Sequence, residues 1–170
     1  GQSLELNRLT QSTDVDAINF VGRAARNNGV TGRVQRIPDV EPAPEGTISV
    51  ALSGQGGAGV AFVQPKPYYC GFHVMVLTPR QPMTTRELLW WATCITANRF
   101  RFGFGRQANR TLKDIELPPQ KDMPSWVPQV DPNAAFVQVL DGLKAQGGST
   151  VVSKQNAIGP KRSFLADLFH

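Results

Sequence analysis

The sequence predicts a single mixed α/β domain, and three observations support this fold class. The chain has 170 residues, of which 41% are hydrophobic and 18% charged, a composition typical of one domain with its own core. Short apolar runs bounded by Gly, Pro or Asn-Gly are typical of strands. One longer segment has helical spacing instead. We therefore expect an α+β fold with a mixed sheet and a few helices.

Five strands are predicted in the first half of the chain. They cover residues 17–22, 32–37, 47–52, 59–64 and 71–78. Residues 1–16 are polar and are predicted to be an extended lead-in. The main domain is then expected to span residues 17–145.

The predicted helix begins after Thr84. Thr84 followed by Glu87 matches a capping box, in which each residue satisfies a backbone N–H of the other. Leu88, Trp91, Ala92 and Ile95 then fall on one stripe at helical spacing. The helix should end near residue 98.

Phe100, Phe102 and Phe104 alternate with Arg99, Arg101 and Gly103. On a strand, this alternation would place the aromatic side chains on one face and the arginines on the other. We therefore predict a strand here.

The last third of the chain divides into four segments. Five prolines predict an extended stretch over residues 118–132, and the apolar spacing of residues 133–145 predicts a second helix. Residues 146–162 are rich in Gly, Ser and Lys, as flexible linkers are. Residues 163–170 form an apolar tail.

Nine of the eighteen basic residues lie in two stretches that contain no acid, residues 20–36 and 99–113. If the fold brings these stretches together, they form a positive face suited to a polyanion, most commonly nucleic acid. The alternative is two separately solvated loops.

The two cysteines, Cys70 and Cys94, are too few for a disulfide framework. There is also no apolar run long enough to span a membrane and no signal-like N-terminus. These observations predict a cytoplasmic protein without a membrane partner.

Two motifs suggest chemistry that their context does not support. Residues 54–59 match the GxGxxG pattern of nucleotide-binding turns, but a β-rich run follows where the mechanism needs a helix, and no acid occurs between Glu45 and Glu87. We therefore expect a glycine-rich β-turn and no bound cofactor. Cys70 and His73 have C-x-x-H spacing without further ligands at a suitable spacing, so no metal site and no catalytic residue is predicted.

Three polar segments are better candidates for a binding site: residues 23–29, 53–57 and 105–110. Arg and Asn side chains read guanine and adenine edges, and hydroxyl, amide and glycine N–H groups suit contacts with phosphates or bases. Each segment alone is better explained as a polar turn, but three such segments together with the charge pattern favour nucleic-acid binding.

The order of these segments resembles a target recognition domain of restriction–modification specificity subunits, including those of the Type IIS and IIG kind. The resemblance covers about residues 17–127. Its most specific piece is Phe104-Gly-Arg followed by Leu112-x-x-Ile-x-Leu-Pro118, and Met123-Pro-Ser-Trp126 resembles a Pro-Asp-Trp turn.

The resemblance implies a non-catalytic reader of double-stranded DNA with a twisted, partly barrel-like sheet. Partner methyltransferase subunits would bind S-adenosylmethionine, and nuclease subunits would cut. The residues expected to contact DNA are Arg23, Arg26, Asn27, Asn28, Ser53, Gln55, Arg106, Gln107, Asn109, Arg110 and Lys113.

This chain departs from a full specificity subunit, which has two such domains separated by long helices. A half-subunit that forms a homodimer, a part of a longer protein and a reused domain all stay open. The tail suggests an alternative function, a protein-interaction adaptor that docks a partner through Phe164, Leu165, Leu168 and Phe169.

Overall fold

The protein is built on two three-stranded sheets and one α-helix. The computed structural model describes residues 1–54, 57–102, 107–129, 131 and 163–164. The first sheet has the order β2-β1-β5, with β1 at Ile18–Val21, β2 at Val30–Val34 and β5 at Tyr68–Cys70. The second has the order β4-β3-β6, with β3 at Thr47–Ala51, β4 at Ala61–Gln64 and β6 at Val74–Leu77. The predicted α/β class is confirmed, and within the described residues the sheets stay open instead of closing into a barrel.

The strand directions place most connections at one end of both sheets. In the first sheet, Val21 pairs with Val30 of antiparallel β2 and with Cys70 of parallel β5. In the second sheet, β3 is antiparallel to both neighbours, and Ala51 pairs with Val74. Three residues, 71–73, connect the end of β5 to the start of β6. The loops after β1, β3 and β5 therefore all emerge at the same end of the molecule.

The α-helix, α1, spans Thr85–Ala97, close to the predicted bounds. The predicted capping box is confirmed: Thr84 N–H donates to Glu87 Oε2 at 2.7 Å, and Glu87 N–H donates to Thr84 Oγ1 at 3.3 Å. Such a cap stabilises a helix by about 1 kcal/mol. The buried face of α1 consists of the predicted stripe, which includes Trp91 and Ile95.

The larger hydrophobic core lies between α1 and the second sheet. Ile48 and Val50 of β3 are fully buried there against α1, and Leu112, Ile115 and Leu117 complete the cluster. Two smaller clusters surround Tyr68 and Tyr69 of β5. The core thus holds the second sheet rigidly, and with it the loops that this sheet carries.

The predicted strand over residues 99–104 is wrong in its described part. Arg99–Phe102 is a 3-10 helix that continues directly from α1, and Arg101 N–H donates to Asn98 O at 3.1 Å. Because the chain turns here, alternate residues do not share a face: Phe102 is buried, whereas Phe100 is 75% exposed. Residues 103–106 lie outside the described residues.

The last predicted strand also needs correction, because β6 begins at Val74 and not at residue 71. A separate strand, β5, precedes it and was not predicted. Prolines at positions 65 and 67 give this segment a loop-like sequence, yet Tyr68 pairs with Asn19 of β1. The prediction failed because long-range pairing outweighed the local signal.

The lead-in is folded onto the first sheet. Leu6–Arg8 forms a 3-10 turn, and Gln11 makes a β-bridge to Val34 of β2. Leu4, Leu6 and Leu9 pack against the buried cluster of Phe20, Val34 and Tyr69. The lead-in, although polar in composition, therefore contributes three leucines that pack against the first sheet.

The predicted extended stretch after Pro118 is also wrong in part. Gln120–Asp122 is a 3-10 turn, and Val127 N–H donates to Pro124 O at 3.0 Å in a further turn. Ser163–Phe164 forms strand β8, antiparallel to β7 at Glu116–Leu117. The predicted second helix and linker lie outside the described residues.

Candidate nucleic-acid interface

The three polar segments predicted as binding loops meet at the shared end of the two sheets, together with the connection from β5 to β6. We call this region the loop surface and define it as residues 22–29, 53–59, 71–73 and 107–110, of which residues 55 and 56 are outside the described part. The first three segments connect strands, and the fourth follows α1 and its 3-10 extension.

Arg23 joins the first segment to the second. Its Nη1 donates a hydrogen bond to Ser53 Oγ at 3.1 Å. The backbones also touch, because a Cβ built on Gly57 would overlap the carbonyl oxygen of Arg23. Ser53 is 5% exposed, whereas the Arg23 residue is exposed. Arg23 is thus held by its backbone and by one guanidinium nitrogen, while the residue stays open to solvent.

Leu52 joins the third and fourth segments to the end of β3. Its N–H donates to His73 O at 2.7 Å, and its C=O accepts from Ala108 N–H at 2.7 Å. Ala108 is fully buried, but Gln107 and Asn109 on either side of it are exposed. The backbone therefore fixes this loop while two amide side chains face solvent.

The two adjacent asparagines of the first segment point in different directions. Both adopt a left-handed backbone, with φ of 51° at Asn27 and 52° at Asn28. Asn27 is exposed, as is Arg26. Asn28 is half-buried, and its Nδ2 donates to Val63 O at 2.9 Å and to Gln64 Oε1 at 3.3 Å. The Asn28 amide thus holds the first segment against β4.

The first basic stretch is divided by the fold. Arg23 and Arg26 lie on the loop surface, but Arg33 donates to the carbonyls of Val15 and Ala17, and Arg36 pairs with Glu41 at 2.8 Å. Two of the four arginines of the first stretch therefore lie on the loop surface, and the other two are engaged elsewhere in the fold.

The second basic stretch also reaches this end. Arg110 and Lys113 are exposed. Arg99 was not among the predicted contacts, but a Cβ built on Gly59 would lie 3.1 Å from its Cα, so Arg99 adjoins the turn that precedes β4. The sequence signal that could have identified Arg99 is its position in the second acid-free basic stretch. Gln55 and Arg106, both predicted contacts, lie outside the described residues.

The connection from β5 to β6 is a part of the surface that sequence reasoning missed. Phe72 is 49% exposed, and His73 is exposed with a φ of 58°. Nδ1 of His73 lies 3.5 Å from Nδ2 of Asn109. Only the sheet pairing brings these positions together, so no local sequence pattern could have revealed this segment.

The glycine-rich segment forms the turn of an antiparallel hairpin, as predicted. Gly59 N–H donates to Ala51 O at 2.8 Å, and strand β4 follows directly at Ala61. A phosphate-binding turn needs a helix N-terminus at this point. The chain has a strand there.

The cysteines do not have the properties of nucleophiles. Burial raises the pKa of Cys70, and it raises the pKa of Cys94 to about 11, so both thiols stay protonated near neutral pH. Cys70 instead accepts a hydrogen bond from Gln2 N–H at 3.2 Å.

In the described part of the chain, no group of three or more His, Cys, Asp or Glu residues could hold a metal ion. No helix there is long and apolar enough to cross a membrane.

Of the predicted docking residues in the tail, Phe164 lies in β8, where its backbone pairs with Glu116. Leu165, Leu168 and Phe169 are outside the described residues. Partner docking by the tail stays a prediction.

The fold and its surface define a small mixed α/β domain that gathers exposed basic and amide side chains on loops at one end of its sheets, which is the construction of a loop-based recognition domain. The family model for the Type I restriction modification DNA specificity domain matches residues 2–121, and the chain belongs to this family. Domains of this family are non-catalytic and provide DNA sequence specificity in restriction–modification. The match includes the lead-in, which the predicted domain, beginning at residue 17, left out. No curated protein and no solved structure matches the chain.

Proposed function

We propose that this chain reads a short sequence in double-stranded DNA through its loop surface and acts as the specificity module of a methylation or restriction assembly. The observation that carries this proposal is the meeting of separate polar segments at Leu52 and Ser53, through the contacts to Arg23, His73 and Ala108. Their convergence gives the segments one shared surface, which a composite binding site requires.

The side chains available on the loop surface suit both parts of DNA recognition. Arg23 and Arg26 can each present a planar pair of donors, which matches the acceptors N7 and O6 of guanine in the major groove. Gln107 and Asn109 offer a donor and an acceptor on one amide, which suits adenine. Arg110 on this surface, and Lys113 in the 3-10 turn Leu112–Asp114 that follows it, supply positive charge for phosphates, which set affinity and register.

The catalytic steps belong to other subunits in this proposal. A methyltransferase subunit would bind S-adenosylmethionine and modify the DNA, and a nuclease subunit would cut it. This chain would select the DNA sequence at which those subunits act. This division of labour agrees with a family of non-catalytic specificity domains.

The test is binding of the purified chain to a randomised duplex library at moderate salt, followed by sequencing of the retained DNA. We expect enrichment of a short motif, and a palindromic or split motif would show that the chain reads as a dimer. Retention without a motif, or no retention, would contradict sequence reading by this chain alone. In that case the selection is repeated with the cognate methyltransferase subunit bound, and failure there overturns the proposal.

A matched pair of arginine variants checks that the loop surface carries the binding. Arg23→Ala should weaken retention of the enriched motif, whereas Arg80→Ala should not. Arg80 is also exposed but follows β6, at the opposite end of the second sheet from Ser53. Equal losses in both variants would show that binding depends on net charge and not on this surface.

A further inference from the structure

The connection from β5 to β6 places two side chains on the loop surface that the fold does not use. Phe72 is 49% exposed, and His73 is exposed beside Asn109 of the fourth segment. A large aromatic side chain and an imidazole that both face solvent add nothing evident to the hydrophobic core. Their position next to the proposed DNA contacts points to a role in binding.

The backbone at His73 supports this reading. Its φ of 58° lies in the left-handed region, which Gly adopts freely and which few other residues adopt, chiefly Asn, Asp and His. A histidine there retains strain that a glycine would relieve, and such strain is often kept at functional positions. The backbone is also fixed, because His73 O accepts a hydrogen bond from Leu52 N–H at 2.7 Å.

The neighbouring amides determine which hydrogen bond the imidazole can offer. Nδ2 of Asn109 donates to Gln107 Oε1 at 3.1 Å and lies 3.5 Å from Nδ1 of His73. An amide nitrogen only donates, so this contact is a hydrogen bond in the tautomer of the neutral imidazole that carries its proton on Nε2 and accepts at Nδ1. His73 therefore presents an N–H donor whose orientation the Asn109 contact helps to fix.

We propose that His73 is a specificity-determining residue that donates its Nε2–H to an acceptor on a base edge of the bound duplex. This inference rests on the proposed function and assigns base reading to the connection from β5 to β6 as well. The acceptors at such an edge are purine N7, guanine O6 and thymine O4. Phosphate oxygens are acceptors too, but a contact with phosphate carries no sequence information.

Three variants test the proposal on the motif that the wild-type chain enriches. His73→Gly removes the ring and relieves the left-handed backbone, so its melting temperature should be unchanged or higher. Its selected motif should lose discrimination at one base pair, by about 3- to 10-fold, the typical value of one hydrogen bond. His73→Gln keeps an N–H donor at similar reach and should restore part of this discrimination.

Thr78→Ala is the matched control, because Thr78 is exposed and directly follows β6, whereas His73 directly precedes it. Thr78→Ala should leave every position of the motif unchanged. A motif unchanged in His73→Gly overturns the inference, and so does an equal loss of affinity for all sequences, which would assign His73 to the phosphate backbone. Both outcomes require that the wild-type chain selects a motif, so they are distinct from failure of the proposed function.

Discussion

The guanidinium of Arg23 donates a hydrogen bond to the hydroxyl of Ser53, 30 positions later in the chain, at 3.1 Å. This contact joins the loop after β1 to the loop after β3, and so it links the two sheets at the end where the polar segments gather. Ser53 is buried while Arg23 faces solvent. The pair therefore fixes the guanidinium through one Nη1 hydrogen bond and leaves its remaining N–H donors available to a ligand.

Replacement of Arg23 should show whether DNA binding needs the planar guanidinium group at this position or only a positive charge. Arg23→Ala is expected to lower affinity for the enriched duplex by about 5- to 150-fold, corresponding to about 1–3 kcal/mol for a paired base contact. Arg23→Lys should lose most of this affinity as well, because an ammonium lacks the planar fork. Fluorescence anisotropy with labelled duplex measures both. If Arg23→Lys keeps the wild-type affinity, positive charge alone is sufficient at this position, and Arg23 contacts phosphate and not a base.

Salt dependence should count the phosphate contacts of Arg110 and Lys113. Affinity should fall linearly on a log–log plot against salt, and each alanine variant should reduce the steepness by about 0.9. Lys66→Ala is the control, because Lys66 is exposed in the connection from β4 to β5, at the opposite end of the sheets. A slope identical in all three variants and the wild type would place Arg110 and Lys113 off the DNA.

Gly57→Ala should disturb the loop surface. The added Cβ would overlap the carbonyl oxygen of Arg23, which is backbone and must move as a unit. We expect a loss of about 1–3 kcal/mol of stability from overpacking, together with weaker DNA binding. Thermal unfolding and anisotropy measure the two effects.

Gly46→Ala is the matched control for that experiment. Gly46 has a φ of 72° and no atom within 4 Å of an added Cβ, so alanine there costs only backbone strain, about 1 kcal/mol. Because Gly46 precedes β3, it lies away from the loop surface. DNA affinity should not change, and a decrease would mean that affinity follows general stability.

Alanine variants of Asn27 and Asn28 should separate a structural amide from an exposed one. The two residues have nearly equal φ, so the backbone strain of alanine is matched. Asn27→Ala removes one exposed hydrogen bond, from Nδ2 to Val30 O at 3.0 Å, whereas Asn28→Ala removes two part-buried ones, to Val63 O and Gln64 Oε1. We therefore expect Asn28→Ala to be the less stable of the two by about 1 kcal/mol in urea unfolding. Equal stabilities would mean that the inward hydrogen bonds of Asn28 contribute nothing.

Stability should fall at alkaline pH because of the half-buried thiol of Cys94. Its pKa rises from 9.0 to about 11 on burial, so the folded state holds a proton that the unfolded state has released. The contribution is complete below pH 9 and is lost as the pH rises toward 11. Urea unfolding at pH 8, 9, 10 and 11 should show a shallower decrease in Cys94→Ala. Parallel curves would contradict this assignment.

Failures of prediction in this chain follow from long-range effects. The strand expected at residues 99–104 is replaced by the 3-10 helix Arg99–Phe102, since the chain continues to turn after α1. Strand β5 was missed because its flanking prolines resemble a loop, although Tyr68 is fully buried and pairs with β1. In both cases the local pattern did not determine the backbone conformation.

The sequence by itself determined the features that depend on neighbours along the chain. The capping box and apolar stripe define α1, alternating apolar runs define β3 and β4, and Gly-rich punctuation defines the turn between them, because these signals act within a few residues. The tertiary structure alone decided which polar residues meet. The parallel pairing of β1 with β5 and the short step into β6 bring Arg23, Ser53 and His73 to one end, whereas Arg33 turns toward the lead-in. Contacts between residues 20 to 50 positions apart depend on strand order, and strand order is set by the packing of the whole core.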